Sequence, residues 1–88
     1  MEYFLFTYPS CEKCEAIKKD LVETDLEGEE YNLSRKESKL KIRDFLAILK
    51  RDEKGGIILP TLVLQEPGEV SAVLNTQEEL RDWLKSKA

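Results

Sequence analysis

Two cysteines three positions apart, Cys11 and Cys14, are the residues of this chain best suited to chemistry, and it has no other cysteine and no histidine. They follow the apolar run Tyr3-Phe4-Leu5-Phe6 and open a stretch with helical periodicity. A thiol at a helix N-terminus faces unpaired backbone N–H groups and the positive end of the helix dipole. Both favour the thiolate, which is the nucleophile of thiol–disulfide exchange. A second thiol one turn along the same helix can then displace a mixed disulfide. Cys14 falls on the stripe of Ile17 and Leu21 and is expected to be shielded. Cys11, on the loop side, is expected to be the more exposed, attacking thiol. Lys13 favours its thiolate, while Glu12 and Glu15 oppose it.

Other readings of the pair are less specific. Free cysteine is often core filler, but the strand–turn–helix context that the redox reading requires is present. A structural zinc site needs about four ligands. Two cysteines without histidine fall short of such a set in one chain, and a metal or iron–sulfur cluster shared between two chains is the competing, non-enzymatic reading.

The elements that must position the pair can be read from pattern. Glu2 to Thr7 reads as a strand buried on both faces. Tyr8-Pro9-Ser10 breaks it. A helix is expected from Cys11 to about Leu26, with Cys14, Ile17, Leu21 and Val22 on one face and Gly28 beyond its end. A short strand is expected over Tyr31-Asn32-Leu33. Ser34 to Glu37 fits a capping box, followed by a helix carrying Ile42, Phe45, Leu46 and Leu49 to near Arg51. Asp52 to Gly56 reads as a loop. Thr61–Gln65 and Val70–Leu74, joined at Pro67-Gly68, predict an antiparallel hairpin. Thr76 to Glu79 is a second capping box, starting a helix with Leu80, Trp83 and Leu84 inward. The basic residues Arg35, Lys36, Lys39 and Lys41 read as a solvated helix face. The order β-α-β-α-β-β-α predicts an α/β domain spanning 1–88, with its first two strands parallel through a right-handed crossover and helices covering a small mixed sheet.

At 88 residues the chain suffices for one domain. Its net charge of −4 argues against nucleic acid, which asks for a clustered basic face. The longest apolar run, Ile57 to Leu64, is interrupted by Pro60 and is far short of the ~20 residues of a membrane span. Met1-Glu2-Tyr3 has no basic n-region, so no export signal is expected. A reducing, cytoplasmic setting is therefore expected, where a CxxC pair is catalytic or metal-binding rather than structural.

Pro60 is the next informative residue. It stands at the start of the third strand, and a cis proline there, its loop packed beside the thiols, is the sharper alternative to an ordinary strand-start proline.

Tyr8-Pro9-Ser10-Cys11-Glu12-Lys13-Cys14, the strand start Leu59-Pro60-Thr61 and the element order together resemble the thioredoxin fold. The short form is similar to a glutaredoxin or a glutaredoxin-like thioredoxin, over essentially the whole chain. The resemblance implies a three-layer fold around a mixed four-stranded sheet and a thiol–disulfide oxidoreductase with Cys11 as nucleophile and Cys14 as resolving thiol. It implies that Leu59, before a cis Pro60, offers its backbone to an extended substrate, with Tyr8, Lys13 and Thr76 completing the substrate-binding set. No bound cofactor or metal is expected. Glutathione or a thioredoxin reductase would serve as external reductant. The expected partners are disulfide-containing proteins or small molecules, met by a monomer, with no nucleic acid or membrane involved. The chain departs from both families at its site. Glu12-Lys13 stands where thioredoxins have Gly-Pro and glutaredoxins Pro-Tyr. The Gly-Gly-Asp of glutaredoxins is replaced by Leu74-Asn75-Thr76-Gln77-Glu78. The helix start at Thr76 still offers N–H groups to a carboxylate, beside the like charge of Glu78.

Overall fold

In the computed structural model, which describes residues 2–87, a four-stranded sheet in the order β2-β1-β3-β4 is covered by helices. The strands are β1 (Glu2–Thr7), β2 (Glu27–Asn32), β3 (Thr61–Glu66) and β4 (Glu69–Leu74); the helices are α1 (Glu12–Val22), α2 (Lys36–Ile42) and α3 (Gln77–Lys87). β1 pairs with β2 in parallel and with β3 antiparallel, and β4 closes an antiparallel hairpin at Pro67-Gly68. Gly68 supplies the positive φ of 91° that this turn needs. The α/β class and the mixed topology follow the expected element order.

Alternation along the two inner strands divides the core. Leu5, Leu62 and Leu64 meet Ile17 and Leu21 of α1 and Leu80 of α3, with Trp83 and Leu84 packed alongside. Phe6 and Val63 point the other way, against Ile42, Phe45 and Leu49. Each fully buried Leu or Phe contributes roughly 1.5–3 kcal/mol through removal of its surface from water. β1, flanked by strands and covered on both faces, is thus the fixed base from which the cysteine turn projects.

Several local expectations are corrected. α1 ends at Val22 rather than near Leu26, because the Thr24 hydroxyl donates to the carbonyl of Leu21 (2.7 Å) and accepts from the N–H of Leu26 (3.2 Å). Val22, expected on the inner face, faces solvent and is 83% exposed. β2 starts four residues earlier than Tyr31. Its acidic half carries no apolar signal, as suits an edge strand. Gly28 does not terminate the helix; it pairs with Tyr3, where a Cβ would run into the Tyr3 carbonyl and ring. Ser34 does not cap α2. Its N–H donates to Asn32 Oδ1 (2.9 Å) in a side-chain turn, and Arg35 takes the cap position without a side-chain bond. The helix expected to reach Arg51 gives way after Ile42 to a 3₁₀ turn, Arg43–Phe45. Three residues per turn keep Ile42 and Phe45 on one side, so the same apolar residues reach the core. Lys41 is not simply solvated: its ammonium lies 4.9 Å from the centroid of Phe4 and 5.9 Å from that of Phe45.

Candidate active site

The chain leaves β1 at Thr7 and must turn sharply to start α1. Ser10 carries the turn with φ 58°, a left-handed conformation that costs a non-glycine residue about 1–2 kcal/mol. Cys11 follows in an extended conformation (φ −101°, ψ 107°) and is the N-cap of α1. Its Sγ accepts a hydrogen bond from the Cys14 backbone N–H at 3.0 Å. Sulfur therefore occupies the place that a Ser or Asp oxygen takes in an ordinary cap. Cys11 and Cys14 are joined in a disulfide with a Cα–Cα separation of 5.2 Å.

Cys14 is 2% exposed, as its place on the Ile17–Leu21 stripe predicts; Cys11 is 6% exposed. The expected order holds, Cys11 being the more exposed of the two, although both are largely buried in the disulfide. Its sulfur is turned under the first helical turn, bonded to the Cys14 sulfur and capped by the Cys14 amide.

Both cysteines are reached from an open groove of about 420 Å³, lined also by Tyr8, Glu12, Glu15, Lys18 and Glu30. Lys18 bridges two carboxylates: its Nζ is 2.8 Å from Glu15 and 3.2 Å from Glu30. The hydroxyl of Thr7, itself buried, donates to Glu30 Oε2 at 2.7 Å. Burial pushes the Glu30 carboxyl up, but the Thr7 hydroxyl, Lys18 and Arg35 outweigh it and hold the group below its ordinary value. The hydrogen bond to Glu15 raises Lys18, against a smaller effect of burial and with further help from Glu30. Lys13, expected to be the cation of the site, is absent from the groove lining. Lys18 takes that place, and its signal was its position four residues after Cys14 on the same helical face.

Of the other expected contacts, Tyr8 borders the groove, whereas Leu59, Pro60 and Thr76 are not part of its lining. The Leu59–Pro60 bond is cis. Phe6 is registered with Thr61, so Pro60 lies across from the end of β1, from which the cysteine turn departs. Leu59 packs toward the Phe6–Phe45 side of the core. Thr76 caps α3, accepting from the Glu79 N–H at 3.0 Å. The returning carboxylate of Glu79 bonds the N–H of Asn75 (3.0 Å) and Lys50 (2.9 Å).

Asn75 was not singled out by sequence reasoning. It is 6% exposed, and its Nδ2 donates to the carbonyls of Ile58 (3.0 Å) and Pro60 (3.1 Å) and to the hydroxyl of Thr61 (3.1 Å). One side chain thus ties the proline loop to the β4–α3 junction. Nothing in its type or spacing announces this, since the loop it holds is some fifteen residues away in sequence.

No protein-family profile and no curated protein sequence matches the chain. Among solved structures, the crystal structure of the thioredoxin-like protein BC3987 superposes with a TM-score of 0.58, covering 91% of this chain and 96% of that one at 21% identity. Agreement over nearly the full length of both chains, together with a CxxC pair on the strand–turn–helix and a cis proline at the start of β3, establishes that the chain adopts the thioredoxin fold.

Proposed function

We propose that the protein is a glutaredoxin-like thiol–disulfide oxidoreductase acting through Cys11 and Cys14. The observation that carries the reading is the place of Cys11 Sγ: at the N-cap of α1, accepting the Cys14 N–H, and within bonding reach of the Cys14 sulfur. The reduced Cys11 thiolate attacks one sulfur of a substrate disulfide, expelling the other as a thiolate that takes up a proton. Cys14, deprotonated in turn, attacks Cys11 Sγ, releases the second substrate thiol and leaves the Cys11–Cys14 disulfide. Two electrons pass from protein to substrate, and an external thiol donor, glutathione or a thioredoxin reductase, restores the dithiol. Tyr8 at the groove, the Leu59-Pro60 backbone and the N–H groups at Thr76 are the proposed substrate contacts, and a reducing cytoplasm is the proposed setting.

The test is stoichiometric. Reduced protein, freed of reductant, is mixed with 2-hydroxyethyl disulfide, quenched in acid and alkylated, and its modified cysteines are counted by mass. Loss of both thiols with release of two equivalents of 2-mercaptoethanol is expected; persistence of both thiols would sink the reading. A visible absorption band in freshly purified protein would instead favour the cluster-carrier alternative.

A further inference from the structure

The groove that reaches the cysteines is lined by three carboxylates, Glu12, Glu15 and Glu30, and a single ammonium, Lys18. That ammonium is already engaged by two of the carboxylates, at 2.8 and 3.2 Å. Among the described residues Glu12 has no ion pair, and it is exposed at the first turn of α1. Lys13, beside Glu12 in sequence, and Arg35, which acts on Glu30, lie outside the lining. The lining itself therefore carries more carboxylates than ammonium groups, with Arg35 and Lys13 set back from it, on a chain of net charge −4, and reduction adds the charge of the Cys11 thiolate. An anionic disulfide has to approach against this field, whereas a cationic one is drawn in.

Resting on the oxidoreductase reading above, we infer that the Cys11–Cys14 groove selects disulfides flanked by positive charge: a basic polypeptide segment is the macromolecular form, and the diamine disulfide cystamine its smallest probe. The chemistry is unchanged. Cys11 forms a mixed disulfide with one cysteamine half and expels the other, and Cys14 then releases the bound half as the protein disulfide closes.

The experiment compares three disulfides with reduced protein: cystamine (dication), 2-hydroxyethyl disulfide (neutral) and 3,3′-dithiodipropionate (dianion). Each rate is divided by that of the same disulfide with free 2-mercaptoethanol, which removes differences in leaving group. The expected order is cation, neutral, anion, with about a tenfold span at low salt, from charges acting through water at the width of the groove. The span should shrink at 0.5 M salt, where screening lengths fall to a few ångströms. Glu12→Lys, which balances the lining charges, should erase it; because the span is a ratio of rates within one variant, any change in Cys11 reactivity cancels. Equal normalised rates, or a faster anion, would overturn the inference and leave the oxidoreductase reading standing. Absence of reaction with all three would remove both.

Discussion

The backbone N–H of Cys14 donates to the Sγ of Cys11 across 3.0 Å, so each cysteine acts on the other twice, through the disulfide and through the helix cap. The cap bond runs from a backbone amide and needs no disulfide to form. The reduced protein is therefore expected to keep the amide aimed at the Cys11 sulfur and to stabilise negative charge there, with Cys14 one turn in, among apolar neighbours.

The two thiols should accordingly divide their labour. Cys11→Ser is expected to abolish disulfide reduction, with a loss of at least a hundredfold. Cys14→Ser is expected to retain the first step and accumulate a mixed disulfide with substrate, visible by mass. In the reduced protein, alkylation at limiting reagent should fall first on Cys11. Preferential labelling of Cys14 would contradict the assignment.

Lys18 rather than Lys13 should tune that reactivity. Lys18→Met leaves Glu15 and Glu30 uncompensated in the groove. It is expected to move thiolate formation to higher pH and to slow reaction with neutral 2-hydroxyethyl disulfide several-fold at pH 7. Lys13→Met should change the rate less. Thiolate absorbance followed against pH in both variants checks the ranking, and a larger effect at Lys13 would reverse it.

How much of this was legible beforehand depends on how local the cause is. β1 is set by its own apolar run and was read to its true ends, Glu2 and Thr7. The start of the cysteine helix is legible in Cys11 and Cys14, whereas its end is not. Thr24 stops it through side-chain bonds that compete with the helix, and a threonine outside a cap pattern carries little signal. The 3₁₀ turn after Ile42 was invisible because three- and four-residue spacings place Ile42, Phe45 and Leu49 on nearly the same face. The site was half legible. The CxxC pair and Pro60 stand out by type and spacing, whereas Asn75 and the Thr7–Glu30–Lys18 chain arise from tertiary pairing of β2 beside β1 and of the proline loop beside β4.

The Asn75 amide should be costly to replace. Asn75→Ala leaves the Pro60 carbonyl without its side-chain donor in a buried place, which is expected to cost about 1–3 kcal/mol in urea unfolding. Asn75→Asp should cost more at pH 7, because a carboxylate would face the carbonyls of Ile58 and Pro60, and part of the loss should return in acid. An Asn75→Ala protein as stable as the parent would show that the loop is held by other means.

Stability should decline in acid for an identifiable reason. The hydrogen bond from Lys50 lowers the Glu79 carboxyl against the opposing effect of burial, and Glu30 is lowered by its own partners. Both folded values lie below the ordinary 4.5, so each carboxylate adds stability that is full above that pH and is lost as the pH falls through the folded value. Lys18, raised above 10.5, adds stability below that pH and loses it only on the alkaline side. The urea midpoint is therefore expected to fall between pH 5 and pH 3, and the double variant Glu30→Gln, Glu79→Gln should show a flatter acid limb. An acid limb as steep as that of the parent would assign the effect elsewhere.

The tightest steric demand lies outside the site, at Gly28. An added Cβ there would meet the carbonyl oxygen and ring of Tyr3, its partner across the parallel β1–β2 pairing. A backbone oxygen cannot move aside without breaking that ladder. Gly28→Ala is therefore expected to destabilise the protein by about 1–3 kcal/mol, the range for forced overpacking. The same substitution in an open strand would gain stability from the reduced entropy of the unfolded chain, so even the sign is informative. Tyr3→Ala on the same background removes the ring but not the carbonyl, and should restore only part of the loss. β2 carries Glu30, and a displaced β2 would shift its carboxylate relative to Thr7 and Lys18. Gly28→Ala should thus also alter the pH dependence of thiol alkylation at Cys11. A Gly28→Ala protein of unchanged stability and unchanged alkylation profile would show that β2 adjusts freely and does not fix the groove.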